Sequence, residues 1–197
     1  MLNVRIICVG KFKEKYWEAA SAEYMKRLGA YCSISVEEIK EERLPANPSR
    51  ADEQNVIEAE GRAILAKISK TGREGAGNKS SSKGGSIGAN RSSGKGNNKS
   101  ANKGGGGRDS FVVALDIGGR ELGSEELAKK IRDISFTHSS IDFIIGGSLG
   151  LSEEVKSRAD LRFSFGKITL PHQLARIVLL EQIYRAFKIN AGEAYHK

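Results

Sequence analysis

Five short apolar runs, each followed by a stretch with helical spacing, constrain this chain more than any other feature. Asn3 to Val9 (NVRIICV), Cys32 to Ile39, Phe111 to Asp116 (FVVALD), Ile141 to Ile145 and Leu161 to Phe165 have the length and β-branched content of strands. Glu14 to Leu28 sets Tyr16, Trp17, Ala20, Tyr24 and Leu28 on one broad helical face, and Ala51 to Ser69 carries Val56, Ile57, Ile64, Leu65 and Ile68 at helical spacing. Ser124 to Ile134 opens with Glu125 and Glu126, where the helix dipole favours acids; Ser152 to Ala159 reads as a short helix and Pro171 to Ile189 as the last one. The alternation predicts an α/β fold: a mostly parallel sheet of five to six elements, flanked by helices on both faces. At 197 residues the chain suits one domain, spanning 1–197.

Thr71 to Arg108 breaks the pattern. These residues hold 12 of the 23 glycines, no aromatic residue, and Ile87 as the only large aliphatic. Such a composition buries too little apolar surface to offset its ordering entropy, so a disordered insert is expected. Its eight Lys or Arg against one Glu give +7, which leaves +1 of the formal +8 on the remaining 159 residues. Basicity that would point to a polyanionic partner is therefore local. The insert reads as a tolerated surface-loop insertion, with an RNA-tethering arm as the alternative. Within it GANRSSGKG, from Gly88, fails as a phosphate loop: five residues separate Gly88 from Gly94, Gly96 follows Lys95 where Ser or Thr is needed, and no strand precedes it.

Cys8 and Cys32, the only two cysteines, sit in apolar runs and read as buried, reduced thiols. The N-terminus MLNVRIICVGKFKEK is too short in its apolar part for a signal or a membrane span. The expectation is a soluble cytoplasmic protein with no membrane partner.

In sheets of this kind ligands lie beyond the carboxyl ends of the strands. Three glycine-bearing loops leave such ends: Leu115 to Gly119, Ile145 to Gly150, and Phe165 to His172. Glycine most often only makes a turn, yet three such loops at one sheet edge suggest a cofactor lying against backbone. The spacing is not GxGxxG and no acid stands at the distance a dinucleotide site needs, so a nicotinamide cofactor is a weak reading.

ITLPHQLARIVLLEQIYRAFKI from Ile168, the terminal AYHK, VALDIGG and FIIGGSLGLS together resemble the SPOUT, or α/β-knot, RNA methyltransferases, and within them the bacterial 23S rRNA pseudouridine N3-methyltransferase H family. The resemblance covers the chain outside the insert. It departs at the insert and at Gly192-Glu193-Ala194, where that family commonly carries a proline before the tyrosine. It implies a C-terminal trefoil knot, a homodimer, and S-adenosyl-L-methionine as methyl donor with no metal. The substrate it implies is N3 of a pseudouridine in 23S rRNA of the assembled ribosome. Cofactor contacts then fall on Leu115, Gly146, Phe165, Gly166, Lys167, Ile168, Thr169 and Leu170. Apolar side chains and backbone amides of these types can sandwich an adenine and satisfy its edge.

An imide N3–H is a weak acid, so a base or an anion stabiliser would help methylation. Of the three histidines, His138 lies in a polar linker and reads as a surface residue. His172 opens the last helix, where the dipole favours a neutral ring; it is either a structural residue of the loop or a catalytic one. Tyr195, His196 and Lys197 read as a frayed terminus on composition alone, whereas the resemblance places them near the partner subunit's active site. There Tyr195 would stack on a base and Lys197 would contact phosphate, with His196 and Tyr195 as catalytic candidates. Arg185 is a candidate RNA contact, or an ordinary helix charge. The last helix is apolar over more than one stripe, which fits burial on two sides, by its own sheet and by a second copy, or by other parts of the same chain. A non-catalytic RNA- or ribosome-binding protein on the same scaffold is the alternative function.

Overall fold

The computed structural model describes residues 1–71 and 110–194. The basic insert beyond Thr71, and Tyr195, His196 and Lys197, lie outside the described residues. The elements follow the expected order: β1 (Asn3–Val9), α1 (Lys15–Leu28), β2 (Ser33–Ile39), α2 (Arg50–Thr71), β3 (Ser110–Glu121), α3 (Ser124–Ser135), β4 (Ser140–Ile145), α4 (Glu153–Arg158), β5 (Leu161–Ser164) and α5 (His172–Asn190). The strands form one sheet in the order β2-β1-β4-β3-β5, and all four pairings are parallel.

Strand alternation sorts the core into two layers. Val4, Ile6 and Cys8 of β1 and Ile141, Phe143 and Ile145 of β4 face α1, α3 and α5, where Leu28, Leu127, Ile131, Leu179 and Ile183 pack against them. Ile7, Val9 and Ile144 face the other way, onto Ile64 and Ile68 of α2 and Val155 of α4. Each such side chain contributes about 1.5–3 kcal/mol by leaving water. Two charges interrupt this second layer and neutralise each other. Arg5 grips Asp142 with Nε–Oδ1 at 3.0 Å and Nη2–Oδ2 at 2.6 Å, and its Nη1 reaches Glu37 at 3.0 Å. Asp142 is 1% exposed, so removing Arg5 would strand a buried charge at a cost of about 3–5 kcal/mol.

β3 runs past its expected end at Asp116, to Glu121. Leu115 and Arg120 both pair with Phe163 of β5, so Ile117, Gly118 and Gly119 bulge out of the ladder and the strand resumes. The glycine pair is therefore part of a bulged strand rather than a strand-to-helix loop. A Cβ at Gly119 would lie 2.7 Å from the Arg162 carbonyl carbon, which is why the residue there carries none.

The last crossing matters most for the site. β5 is the edge strand beside β3, whereas the start of α5 lies against β1 and β2: Lys13 N–H donates to Gln173 Oε1 at 3.1 Å, and Arg176 Nη1 reaches Glu38 Oε1 at 2.9 Å. Phe165 to Pro171 thus traverses the carboxyl edge of the sheet from β5 to β1, three strand spacings or roughly 14 Å. α5 then runs back towards the amino edge. There Tyr31, just before β2, donates its hydroxyl to Glu193 Oε1 at 2.8 Å. Phe187 of α5 stacks with Tyr31, and Tyr184 meets both Tyr31 and Tyr24 of α1 edge-on, so α1 and Tyr31 cover part of the broad apolar surface of α5.

Candidate functional site

The β3 bulge and the loops leaving β4 and β5 are neighbours because the strands are. Leu115 and Gly146 sit on adjacent strands one residue out of step, as the pairing of Ala114 with Ile144 requires. Leu115 pairs with Phe163, whose ring meets that of Phe165 edge-on at 5.1 Å. The crossing segment Gly166-Lys167-Ile168-Thr169-Leu170 starts from this point. Ile168 is 77% exposed and Ile117 57%, two large apolar side chains held in water at one edge. Such surface beside free backbone groups suits a planar ligand with polar margins.

The glycines of the β4–α4 loop have causes within the chain. A Cβ at Gly146 would stand 2.6 Å from the Gly150 carbonyl oxygen, and one at Gly147 2.6 Å from Glu60 Oε2. Gly147 and Gly150 form a small bridge, with Gly150 N–H donating to the Gly147 carbonyl at 3.1 Å. Bare backbone here lets the loop close on itself, the turn-making role that glycine most often has, beside which the approach of a cofactor stands as an expectation. Gly166, at φ +113°, adopts a conformation that L side chains rarely take. The buried Ser164 hydroxyl fixes it by accepting the Gly166 N–H at 3.1 Å and donating to the Gly166 carbonyl at 2.9 Å, with the Ile117 carbonyl 3.3 Å away.

His172 closes the far side of this edge. It lines a narrow cleft with Cys8, Gly10, Phe12, Gln173 and Arg176. Its Nε2 is buried without a hydrogen-bond partner and stands 3.2 Å from where a Cβ on Gly10 would be. Arg176 lies over the Phe12 ring at 4.0 Å while holding Glu38. Burial pushes the Cys8 thiol up to about 11 and that of Cys32 up to about 12, so both are neutral packing groups and poor nucleophiles.

The remaining candidates lie elsewhere. Arg185 is three and a half turns along α5 from His172, paired with Glu181 through Nε at 2.9 Å and Nη2 at 2.6 Å. Glu193 is tied to Tyr31 and Lys188, so the tail departs from the amino edge of the sheet. α5 is 19 residues long, which separates the two groups by about 28 Å. The chain therefore brings Leu115, Gly146, Phe165 to Leu170 and His172 to one edge, and holds Arg185 and the start of the tail away from it.

Four side chains that shape the site escaped the sequence reading: Glu60, Ser164, Arg162 and Asp116. Arg162 Nε donates to Asp116 Oδ2 at 2.8 Å across the bulge. For Glu60 a signal existed, since it lies one helical turn from both Val56 and Ile64, an acid on an apolar stripe. Nothing in the sequence distinguishes Ser164.

A family model described as "Predicted SPOUT methyltransferase" matches residues 2–86 and 87–196. The ribosomal RNA large subunit methyltransferase H of Clostridium novyi is 42% identical over 197 residues, covering all of both chains. The protein of the same name from Lactobacillus acidophilus is 40% identical over 197 residues, again covering both chains fully. Among solved structures, the A. aeolicus TrmH/SpoU tRNA modifying enzyme aligns with 96% of this chain and 77% of its own, at 10% identity and a TM-score of 0.43. By sequence along its whole length, with a five-stranded parallel sheet whose last crossing gathers the loops at one edge, the chain belongs to the SPOUT methyltransferase family.

Proposed function

We propose that the protein is the S-adenosyl-L-methionine-dependent methyltransferase that methylates N3 of a pseudouridine in 23S rRNA on the ribosome, acting as a cytoplasmic homodimer. Full-length identity of 42% to a ribosomal RNA large subunit methyltransferase H is the observation that carries this reading. Among the described residues no helix is long and apolar enough to cross a membrane.

The edge fits the donor in kind. Exposed Ile117 and Ile168, half-buried Leu115 and Phe165, and the backbone of Gly146 and Gly166 to Leu170 would hold the adenosine part. The bound cofactor would supply an electrophilic methyl group on a sulfonium. The chain's own work is then to position the acceptor and to receive or stabilise what the N3–H releases. His172, whose buried Nε2 has no partner at the same edge, is one described side chain with hydrogen-bonding capacity there, beside exposed Lys167 and Thr169.

A second copy is needed for the rest. Three residues beyond Ala194 reach at most roughly 10 Å, against about 28 Å along α5 to the loops of the same chain. Tyr195, His196 and Lys197 can therefore serve a methyl-donor site only if it belongs to the partner, and Arg185 would approach RNA from that side. A carboxyl-edge crossing such as Phe165 to Pro171, followed by the return of α5, also supports a threaded, knotted C-terminal part.

The test is transfer of isotope-labelled methyl from S-adenosylmethionine to ribosomes from a strain lacking this gene, with mass spectrometry of the 23S rRNA. Label on a single pseudouridine is expected. Ribosome binding with neither cofactor uptake nor label would instead establish the non-catalytic alternative.

A further inference from the structure

Glu60 is a buried acid to which the chemistry above gives no role. It is 4% exposed, and among the described residues it forms no ion pair. Its Oε1 accepts the Glu42 N–H at 3.1 Å, while Oε2 has no partner and points at Gly147, 2.6 Å from where a Cβ would be. α2 comes as close at the next residue: a Cβ on Gly61 would stand 2.3 Å from Ser152 Oγ. Two successive residues of α2 thus press on both ends of the β4–α4 loop, and Glu60 ties that loop to the β2–α2 connection.

We propose that Glu60 is a positioning residue for the methyl-donor site, bracing the Gly146–Gly150 turn from the α2 face as a neutral carboxylic acid. This rests on the assignment of that turn to the cofactor. Geometry favours the neutral form, since an ionised carboxylate packed against the turn would have one N–H partner and a second oxygen with none. The charges that act on it are those of Glu41 and Glu42 in the β2–α2 connection, and Lys13 is engaged by Glu41 at 3.9 Å. The loop from Gly146 to Ser152 offers no charge, Glu153 and Glu154 of α4 are exposed, Glu58 on α2 is bonded by Gln54, and Arg62 is exposed. Burial raises the Glu60 carboxyl above the usual range, the Glu42 N–H opposes this, and the two neighbouring carboxylates add to the rise.

The experiment measures S-adenosylmethionine binding by calorimetry, and KM and kcat with ribosomes, for the full chain and the variants Glu60→Gln, Glu60→Ala, Gly147→Ala and Glu60→Ala with Gly147→Ala. Glu60→Gln, which keeps the acceptor for Glu42 and the shape of the neutral acid, should bind within about twofold of wild type, whereas Glu60→Ala should weaken binding about tenfold through displacement of the turn. Gly147→Ala should weaken it similarly, and the double variant no further, because removing the carboxyl makes room for the new methyl group. Wild-type affinity should fall as pH rises, and that of Glu60→Gln should not. Wild-type binding by Glu60→Ala, or strictly additive effects in the double variant, overturns the inference. Where Glu60→Ala does not fold, identical pH profiles for wild type and Glu60→Gln overturn it. A wild-type protein that takes up no S-adenosylmethionine instead overturns the methyltransferase reading along with it.

Discussion

The two ends of α5 are built differently. At the carboxyl edge the chain presents backbone: a turn closed by Gly146 against Gly150, a left-handed Gly166 clamped by Ser164, and two isoleucines standing in water. At the amino edge it presents side chains, with Tyr31, Tyr184, Phe187, Lys188 and Glu193 locking the base of the tail. A backbone-lined edge is suited to gripping a cofactor common to many reactions, and a surface rich in side chains to choosing one substrate. One 19-residue helix keeps the two ends apart, and the proposed shared site would join them only across two copies.

The largest expected effect breaks that separation. Removing Tyr195 to Lys197 should cut methyl transfer by about a hundredfold or more, the scale of a misplaced acceptor, while S-adenosylmethionine affinity stays unchanged in calorimetry. Mixing this truncated chain with a Gly166→Val chain should restore activity through dimers that carry one intact site. Failure of such mixtures, with both chains folded and paired, would sink the shared-site reading.

Next comes Gly146→Val, which forces a side chain into the Gly150 carbonyl. Overpacking of this kind costs about 1–3 kcal/mol, so a lower midpoint in denaturant should accompany loss of cofactor binding. A variant of wild-type stability that binds no cofactor would mean that the ligand, rather than the turn, meets the new atoms.

A smaller effect separates Glu60 from the ordinary acids. With its native carboxyl raised, the unfolded chain releases this proton first, so its contribution to stability is fully present below the unfolded value of about 4.3 and declines as pH climbs through the native value. Glu60→Gln should lack that decline, which melting curves across pH would reveal as a gap that vanishes in acid. The smallest effect concerns the insert. α2 ends and β3 begins at the amino edge, so replacing residues 72–109 with a short Gly-Ser linker should leave cofactor affinity within about twofold, well inside the spread of surface changes.

Much of this was legible beforehand, for identifiable reasons. The periods of 2 and 3.6 placed all ten elements because both core layers are nearly pure aliphatic. Gly118-Gly119 was misread because a glycine pair marks a turn and a bulge with equal force, and only the approach of Arg162 tells them apart. Arg5 and Asp142 carry no signal of their pairing in the sequence, because only the register of β1 with β4 sets them side by side. The cofactor candidates were found by resemblance, and their convergence follows from strand order, which no local pattern encodes. Why Gly146 lacks a side chain was legible only in three dimensions, since Gly150 is its obstacle.

One consequence of the Phe165 to Pro171 crossing concerns the order of assembly. Everything that spans the sheet edge follows β5, so a chain can hold all five strands of the sheet and still lack the crossing. The sheet can therefore form before the segment that gathers the methyl-donor candidates at one edge is in place.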